Sequence, residues 1–503
     1  MLDLIIKNGQ IIDGTGAEAF FADIGIENGK IVFIGDCKQE AKMVIDAAGL
    51  VVTPGFIDSH SHADNAVVDF PEQREKCEQG ITTSVAGQCG SSYMPKIKAS
   101  DEARHSAEGF FKKLDTLPLG ANIVTFVGHG TVRSSVMGLA NREPTEGELE
   151  QMKELVRESV KAGALGVSFG LIYVPSCYAK TAELVEIAKA CKEAGGMVSA
   201  HIRGEGEQLV DSVKEFIHIV KESGVKGVIS HHKAAGAKNH GKTEITLKLI
   251  EEANAEGADI YCDVYPYIAS STSLSSKFVP KEYHADNKML QNLADPAIRA
   301  QIKARLVTQE TSSYDGVLVT VCKGHPEFQG KTLPEIAKML DCDCVEAALR
   351  VIEFGRGSAS ACYFTMNESD VERVMAYPRS MICTDSSVAR NNSVYHPRLR
   401  ASFPRAIGEY CRNRGVVPLA EMIRKITSLP AHVYGLEGKG IIREGYDADI
   451  CIFDSDKIID KATYEEPTNR CEGLSYVIIS GEIACVDAVY TGSGSGRAIR
   501  RKN

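Results

Sequence analysis

The sequence predicts an α/β protein, a closed (β/α)8 barrel of TIM type with a small β-sandwich domain formed by both termini. Short apolar strands alternate with helical patterns through the middle of the chain, and turn-rich strand pairs stand at its two ends. The polar residues that follow the central strands are rich in His, Cys and Asp, as expected where a barrel concentrates its chemistry. At 503 residues with 44% hydrophobic content, the chain exceeds the ~250 to 300 residues of a single core. One large domain and a smaller one are therefore expected.

The first segment alternates apolar stretches at 4–7, 24–26 and 31–34 with the turn pairs Asn8-Gly9 and Asn28-Gly29, which reads as a small antiparallel sheet. The far end repeats this at 448–453 and 476–479, and Gly481 opens another strand through Val486. Residues 1–53 and 437–503 are thus assigned to one small β domain, and 54–436 to the barrel. Eight barrel strands are expected at 50–57, 81–86, 122–127, 165–169, 196–200, 227–230, 259–264 and 380–383. Helices fill the gaps. One covers 148–162, entered by the capping box Thr145-x-x-Glu148; another covers 208–223, with Leu209, Val213, Phe216, Ile217 and Val220 on one face. The 116 positions between the end of the seventh strand and the start of the eighth (380 − 264) exceed what a βα loop needs. They predict an inserted subdomain at about 275–345, with its own strand at 317–321 and a possible role as a lid.

Composition narrows the function classes. A net charge of -10 and a pI near 5.8 exclude a basic face for nucleic acid. No run reaches the ~18 to 20 apolar residues of a membrane helix, and the start of the chain has no basic n-region before an apolar block, so a soluble cytoplasmic protein is expected. Fifteen cysteines without a regular framework fit reduced thiols. The basic end, Arg497 to Arg501, reads as a solvated tail.

The strand ends carry the chemistry. After the first comes Asp58-Ser59-His60-Ser61-His62, whose period of two puts both imidazoles on one side. Then come Gly87-Gln88-Cys89-Gly90, His201-Ile202-Arg203, His231-His232-Lys233 and Thr384-Asp385, after the second, fifth, sixth and eighth strands. Nitrogen and thiolate donors with one carboxylate suit zinc, and Cys89 could bridge two ions. A lone HxH pair arises by chance and a lone Cys is usually core, but five such groups at strand ends are harder to dismiss. Zinc lowers the pKa of its water toward ~7, and Asp385 could take that proton and pass it to a departing amine nitrogen. The competing reading makes Asp385 a helix N-cap.

These residues resemble the D-aminoacylase (N-acyl-D-amino-acid deacylase) family of the amidohydrolase superfamily. The resemblance opens at Pro54-Gly55-Phe56-Ile57-Asp58-x-His60-x-His62 and continues through Gly87-x-Cys89-Gly90 and Gly163-Ala164-Leu165-Gly166-x-Ser168-x-Gly170-Leu171-x-Tyr173-x-Pro175. It includes His201-x-Arg203-x-Glu205, Ser230-His231-His232-Lys233, Tyr265-Pro266-Tyr267 with Ser271-Thr272, and His396-Pro397-Arg398-Leu399. It ends at Gly445-Tyr446-Asp447-Ala448-Asp449. It implies a tight Zn2+ on Cys89, His201 and His231, a weaker second site on His60, His62 and shared Cys89, and Asp385 as the catalytic carboxylate. Tyr173 and Lys233 would orient the scissile carbonyl and the substrate carboxylate, with Tyr265 and Ser271 lining the pocket. Strand four offers Ser168 and Gly170 in place of the metal-bridging lysine of many relatives. The chain departs from the family pattern after Asp385, where Ser386-Ser387 and residues 388–394 are expected beside the amino-acid pocket.

The implied activity is hydrolysis of the acyl amide of a small-molecule N-acyl-D-amino acid. The alternatives are a cyclic amide, a peptide bond bearing a D- or isoaspartyl residue, or an inactive binding scaffold. His105, His218 and His325 read as bystanders, His129 as structural in its turn, and His396 as a loop support.

Overall fold

The computed structural model describes residues 1–308, 314–388 and 396–502. Eight parallel strand positions form the barrel. In chain order they are Phe56–Asp58, Ile81–Ala86, the pair Asn122–Thr125 and Val127–Gly128, Gly166–Gly170, Met197–His201, Gly227–Ile229, Ile260–Val264 and Ser380–Ile382. The ring closes between eighth and first strands: Asp385 N donates to His60 O at 2.9 Å, and Ser61 forms a parallel bridge with Ser386. The strands expected at 50–57 and 122–127 are each broken in two.

The first break follows from local chemistry. Val51–Pro54 pairs with Ile450–Phe453 and so belongs to the terminal sheet, while Phe56–Asp58 enters the barrel. Between them Pro54 has no N–H to give, and Gly55 N turns to Asp449 O. A side chain at Gly55 would meet Thr82 at 2.3 Å, so this crossing point admits only glycine. The break in the third strand falls at Phe126, whose N–H reaches back to Ala86 O while Val127–Gly128 pairs forward with Gly166–Gly170.

Both termini build one nine-stranded mixed sheet in which Val51–Pro54 joins Leu2–Ile11 to Ile450–Phe453. Leu4, Ile6, Ile24, Ile26, Val52, Ile450, Ile452 and Ile478 share one buried core there. The Arg497 to Arg501 end is not a solvated tail. Ile123 N donates to Arg497 O and Ile499 N to Ile123 O, so the last residues satisfy edge groups of the third barrel strand, and Arg501 N donates to Gly163 O in the turn before the fourth.

Helices cover the barrel as its amphipathic segments require. The expected capping box closes on the helix Glu146–Lys161, with Thr145 N donating to Glu148 at 2.8 Å and Glu148 N to Thr145 Oγ1 at 3.2 Å. Leu209–Ser223 buries Leu209, Val213, Phe216, Ile219 and Val220 against the sheet. Between the seventh and eighth strands, Ser270–Ser273, Val317–Val321 and Ser360–Tyr363 form an antiparallel sheet in the order first, third, second. Together with the helices between them, they enclose a core of their own that includes Leu274, Phe278, Val319, Leu333, Leu349 and Ala361. Among the described residues no helix is long and apolar enough to cross a membrane.

Candidate metal centre

Four imidazoles and one thiol converge inside the carboxyl end of the barrel. Cys89 Sγ lies 3.3 Å from His60 Nε2, 3.3 Å from His231 Nε2 and 3.8 Å from His201 Nδ1. His62 joins from the rim: its ring centroid is 5.4 Å from that of His60, and its Nε2 lies 3.1 Å from Asp385 Oδ1. The donors fall into two sets, Cys89 with His201 and His231, and His60 with His62, Cys89 and Asp385, each within 4.8 Å. All five groups placed at strand ends by the sequence are thus brought together, and Cys89 stands in both sets. Asp385 does not cap a helix.

Three of these residues hold an unfavourable backbone conformation, with φ of 53° at Cys89, 36° at His231 and 45° at Asp385. Non-glycine residues enter this region at a cost that surrounding structure must meet. At His231 the compensation is visible, since its N–H donates to Asp263 Oδ1 at 2.7 Å. At Asp385 it comes from below. The fully buried Lys76 Nζ lies 2.9 Å from Asp58 Oδ2, 2.8 Å from Thr384 Oγ1 and 3.1 Å from Ser386 O, gripping the residues on either side of Asp385.

The donor chemistry fits a metal ion. Among the described residues, His60 Nδ1 and His201 Nε2 are buried without a hydrogen-bond partner. Behind three of the imidazoles stands a carboxylate: Asp263 Oδ2 is 3.7 Å from His60 Nδ1, and Glu205 Oε1 is 3.6 Å from His201 Nε2 and 3.1 Å from His231 Nδ1. Carboxylates in that position orient metal-binding imidazoles and raise their basicity. Burial pushes the Cys89 thiol up, but the neighbouring His60 and His231 charges and hydrogen bonds from His201 and His231 outweigh it and hold the group well below the usual thiol range. Burial would lower His62, yet Asp385 and Cys89 bring it to about 9. Burial opposes ionisation of Asp385, but Arg398 overrides it and keeps the carboxyl well below its ordinary range. A thiolate ringed by nitrogen donors with one carboxylate is the set that zinc prefers.

The centre opens on a cavity of ≈160 Å³. Its lining includes Tyr173, Lys233, Tyr265 and Ser271, the four substrate-contact candidates, and also Lys277 and Arg398. Tyr173 OH shares a hydrogen bond with Thr272 Oγ1 at 3.0 Å; Lys233 Nζ contacts the Glu205 carboxylate and lies 2.7 Å from His231 Nδ1. Arg398 sits over the Tyr265 ring, 4.7 Å from its centroid, with Nη1 2.7 Å from Asp385 Oδ2. Asp263, Glu205, Lys76, Lys277 and Arg398 had no role read from the sequence. A carboxylate within the otherwise apolar Ile260–Val264 strand was the available signal for Asp263, and the position four residues after His201 was the signal for Glu205. His129 is structural, held by Ser176 Oγ at 2.9 Å and Glu183 Oε1 at 3.0 Å, and His396 Nε2 braces Ala269 O at 2.9 Å. Beyond Asp385, Ser387 Oγ donates to His62 O at 3.0 Å; residues 389–394 lie outside the described residues.

The amidohydrolase family profile matches residues 43–300 and 380–485. This chain belongs to the amidohydrolase family. It is 34% identical to a D-aminoacylase of Alcaligenes xylosoxydans xylosoxydans, covering 99% of this chain and 98% of that one. An N-acyl-D-glutamate deacylase of the same organism is 33% identical, covering 95% and 93%. Among solved structures, an N-acyl-D-glutamate deacylase from Bordetella bronchiseptica complexed with zinc and a phosphonate inhibitor superposes with a TM-score of 0.86 at 32% identity, over 99% of each chain. A D-aminoacylase described as having a binuclear metal centre superposes with the same TM-score at 34% identity, over the whole of both chains. D-hydantoinase shares the amidohydrolase fold at a TM-score of 0.57 and 16% identity.

Proposed function

We propose that this amidohydrolase is a zinc-dependent N-acyl-D-amino-acid deacylase, releasing a D-amino acid and a carboxylate. The observation that carries the reading is the Cys89, His60, His201 and His231 cluster beside Asp385, opening on a cavity lined by Lys233, Lys277 and Arg398. The full-length likeness to D-aminoacylase at 34% identity supports it, whereas D-hydantoinase is a more distant full-length relative at 23%, which weighs against a cyclic amide.

Cys89, His201 and His231 would hold the tighter ion, and His60 and His62 with shared Cys89 a weaker second one. Zinc at this position supplies Lewis acidity toward water and an amide carbonyl. The chain's own groups do the rest. Asp385, kept ionised by Arg398, accepts the proton of the attacking water on the oxygen that faces His62 and later delivers it to the amine nitrogen as the C–N bond breaks. Tyr173 offers its hydroxyl to the carbonyl oxygen as charge develops there. Lys233, Arg398 and Ser271 face the substrate carboxylate, with Tyr265 forming the floor.

A panel of N-acetyl D- and L-amino acids with acidic, polar, aliphatic and aromatic side chains tests the reading. D-selective release of acetate is expected, and equal rates for both enantiomers would refute it. In the same assay Asp385→Ala is expected to lose at least about 10²-fold in kcat while keeping its tightly bound zinc. Loss of that zinc would instead make Asp385 chiefly a ligand.

A further inference from the structure

A second cavity, of ≈330 Å³, adjoins the metal centre and takes no part in the mechanism above. Among the described residues it shares only His62 and Tyr173 with the first cavity, so the cluster stands as a partition between the two. We propose that it is the acyl-chain subsite, and that it takes an uncharged aliphatic acyl group longer than acetyl. This proposal rests on the deacylase reading.

The two halves of a linear amide leave the scissile carbon in opposite directions. The half that carries the α-carboxylate belongs on the side of Lys233, Lys277 and Arg398, so the acyl half must point into the other cavity. Among the described residues, that cavity has no Asp, Glu, Lys or Arg in its lining. Its walls come from Gly90, Gly130, Ser134, Leu139, Val174 and Pro175, together with a few further hydroxyl residues. The hydroxyls are largely engaged within the protein. Thr131 Oγ1 donates to Ser92 O at 3.3 Å and accepts from Ser92 N at 3.0 Å, Ser134 Oγ donates to Thr131 O at 3.0 Å, and Ser176 Oγ pairs with His129 Nδ1 at 2.9 Å. Away from its metal end, where His62 and Cys89 stand, those polar atoms are satisfied and the described lining has no carboxylate, lysine or arginine, so the surface left to a ligand favours methylene groups and penalises a carboxylate. An acetyl group would leave most of the space empty.

The test uses the wild-type zinc enzyme and one D-amino acid, the one hydrolysed fastest as its N-acetyl derivative. kcat/KM is measured for the acetyl, butanoyl, hexanoyl and succinyl derivatives. A rise of at least about tenfold from acetyl to hexanoyl is expected, since each fully buried methylene contributes up to about fourfold. Succinyl, with its terminal carboxylate, should fall below butanoyl. A flat or falling series would overturn the subsite while leaving deacylation standing; no turnover of any derivative would overturn the deacylase reading and the subsite with it. Ser134→Phe and Leu139→Trp should each lower the hexanoyl-to-acetyl ratio about tenfold, and an unchanged ratio in both folded variants counts against the proposal. Product inhibition needs no variant: hexanoate should inhibit at a concentration at least about tenfold lower than acetate, and equal inhibition would contradict the assignment.

Discussion

Arg398 Nη1 stands 2.7 Å from Asp385 Oδ2, and the guanidinium is buried against the Tyr265 ring. The opposite oxygen of the same carboxylate faces His62 Nε2 at 3.1 Å, so Arg398 fixes which oxygen remains free for proton transfer. Removing the guanidinium takes away the main influence that offsets burial and lowers the Asp385 pKa. Arg398→Met is therefore expected to reduce kcat about 10²-fold and to move the acidic limb of the kcat profile to higher pH, because a carboxyl with a raised pKa protonates sooner as pH falls. Arg398→Lys should restore part of the rate and most of the profile. A loss confined to KM, with the limb unmoved, would mean that Arg398 only binds substrate.

Cys89 belongs to both donor sets, which gives it a larger expected effect than any residue behind the ligands. Zinc analysis after dialysis should find Cys89→Ser depleted of metal, with affinity lowered by well over 10²-fold. Glu205→Gln, which alters the carboxylate behind His201 and His231 and its pairing with Lys233 but no metal-facing atom, should lose about 10- to 100-fold. If Cys89→Ser retains a full equivalent of zinc, the thiolate is not the shared ligand.

Lys277 lines the first cavity and, among the described residues, has no carboxylate partner; its Nζ lies 5.9 Å from the Tyr363 ring centroid. The neighbouring cations are already engaged, Lys233 by Glu205 and Arg398 by Asp385. A free cation facing the amino-acid half favours an acidic side chain. N-acetyl-D-glutamate or N-acetyl-D-aspartate should accordingly be turned over at least about tenfold more efficiently than N-acetyl-D-leucine. Lys277→Met should reverse that order through KM, and an unaltered ranking in the variant would remove Lys277 from side-chain selection.

The sequence made the donors legible because each lies at a strand end, where strand periodicity and βα order fix position. His60-x-His62, Cys89, His201, His231 and Asp385 needed no long-range information beyond the barrel itself. What completes the site was less visible for a physical reason. Arg398 reaches Asp385 from a helix that begins after the eighth strand, Lys277 comes from the insertion, and Lys76 rises from a short helix after the first strand. None of the three stands at a strand end, so no periodicity marks it. The break at Phe126 escaped a strand reading because the strand pattern continues through it, whereas the break at Gly55 is marked in the sequence by Pro54-Gly55 and the expected strand ran across it. Only the pairing of Val51–Pro54 with Ile450–Phe453 separates terminal sheet from barrel. The basic end was misjudged because charge suggests solvent, while its backbone supplies edge hydrogen bonds to Ile123.

Asp447 offers a test of how the small domain is tied together, independent of catalysis. Its carboxylate accepts from Lys30 Nζ at 2.6 Å, lies 3.0 Å from Lys439 Nζ and contacts Arg497, joining a terminal-sheet strand to the C-terminal segment. Burial would raise its pKa, but Lys439, Lys30 and Arg497 together lower it from 3.8 to about 2. A carboxyl whose folded pKa is depressed contributes stability above its unfolded pKa and loses that contribution as pH falls toward the folded value. The full contribution is therefore present at pH 7 and fades between about pH 4 and 2. Lys30 and Arg497 are about half exposed, at 47% and 53%, so solvent screening reduces the worth of the cluster. Asp447→Asn is expected to cost about 1 to 2 kcal/mol in urea denaturation at pH 7. The gap from wild type should narrow at pH 3. A gap that stays constant across that range would assign the loss to packing and leave the ion cluster without a stabilising role.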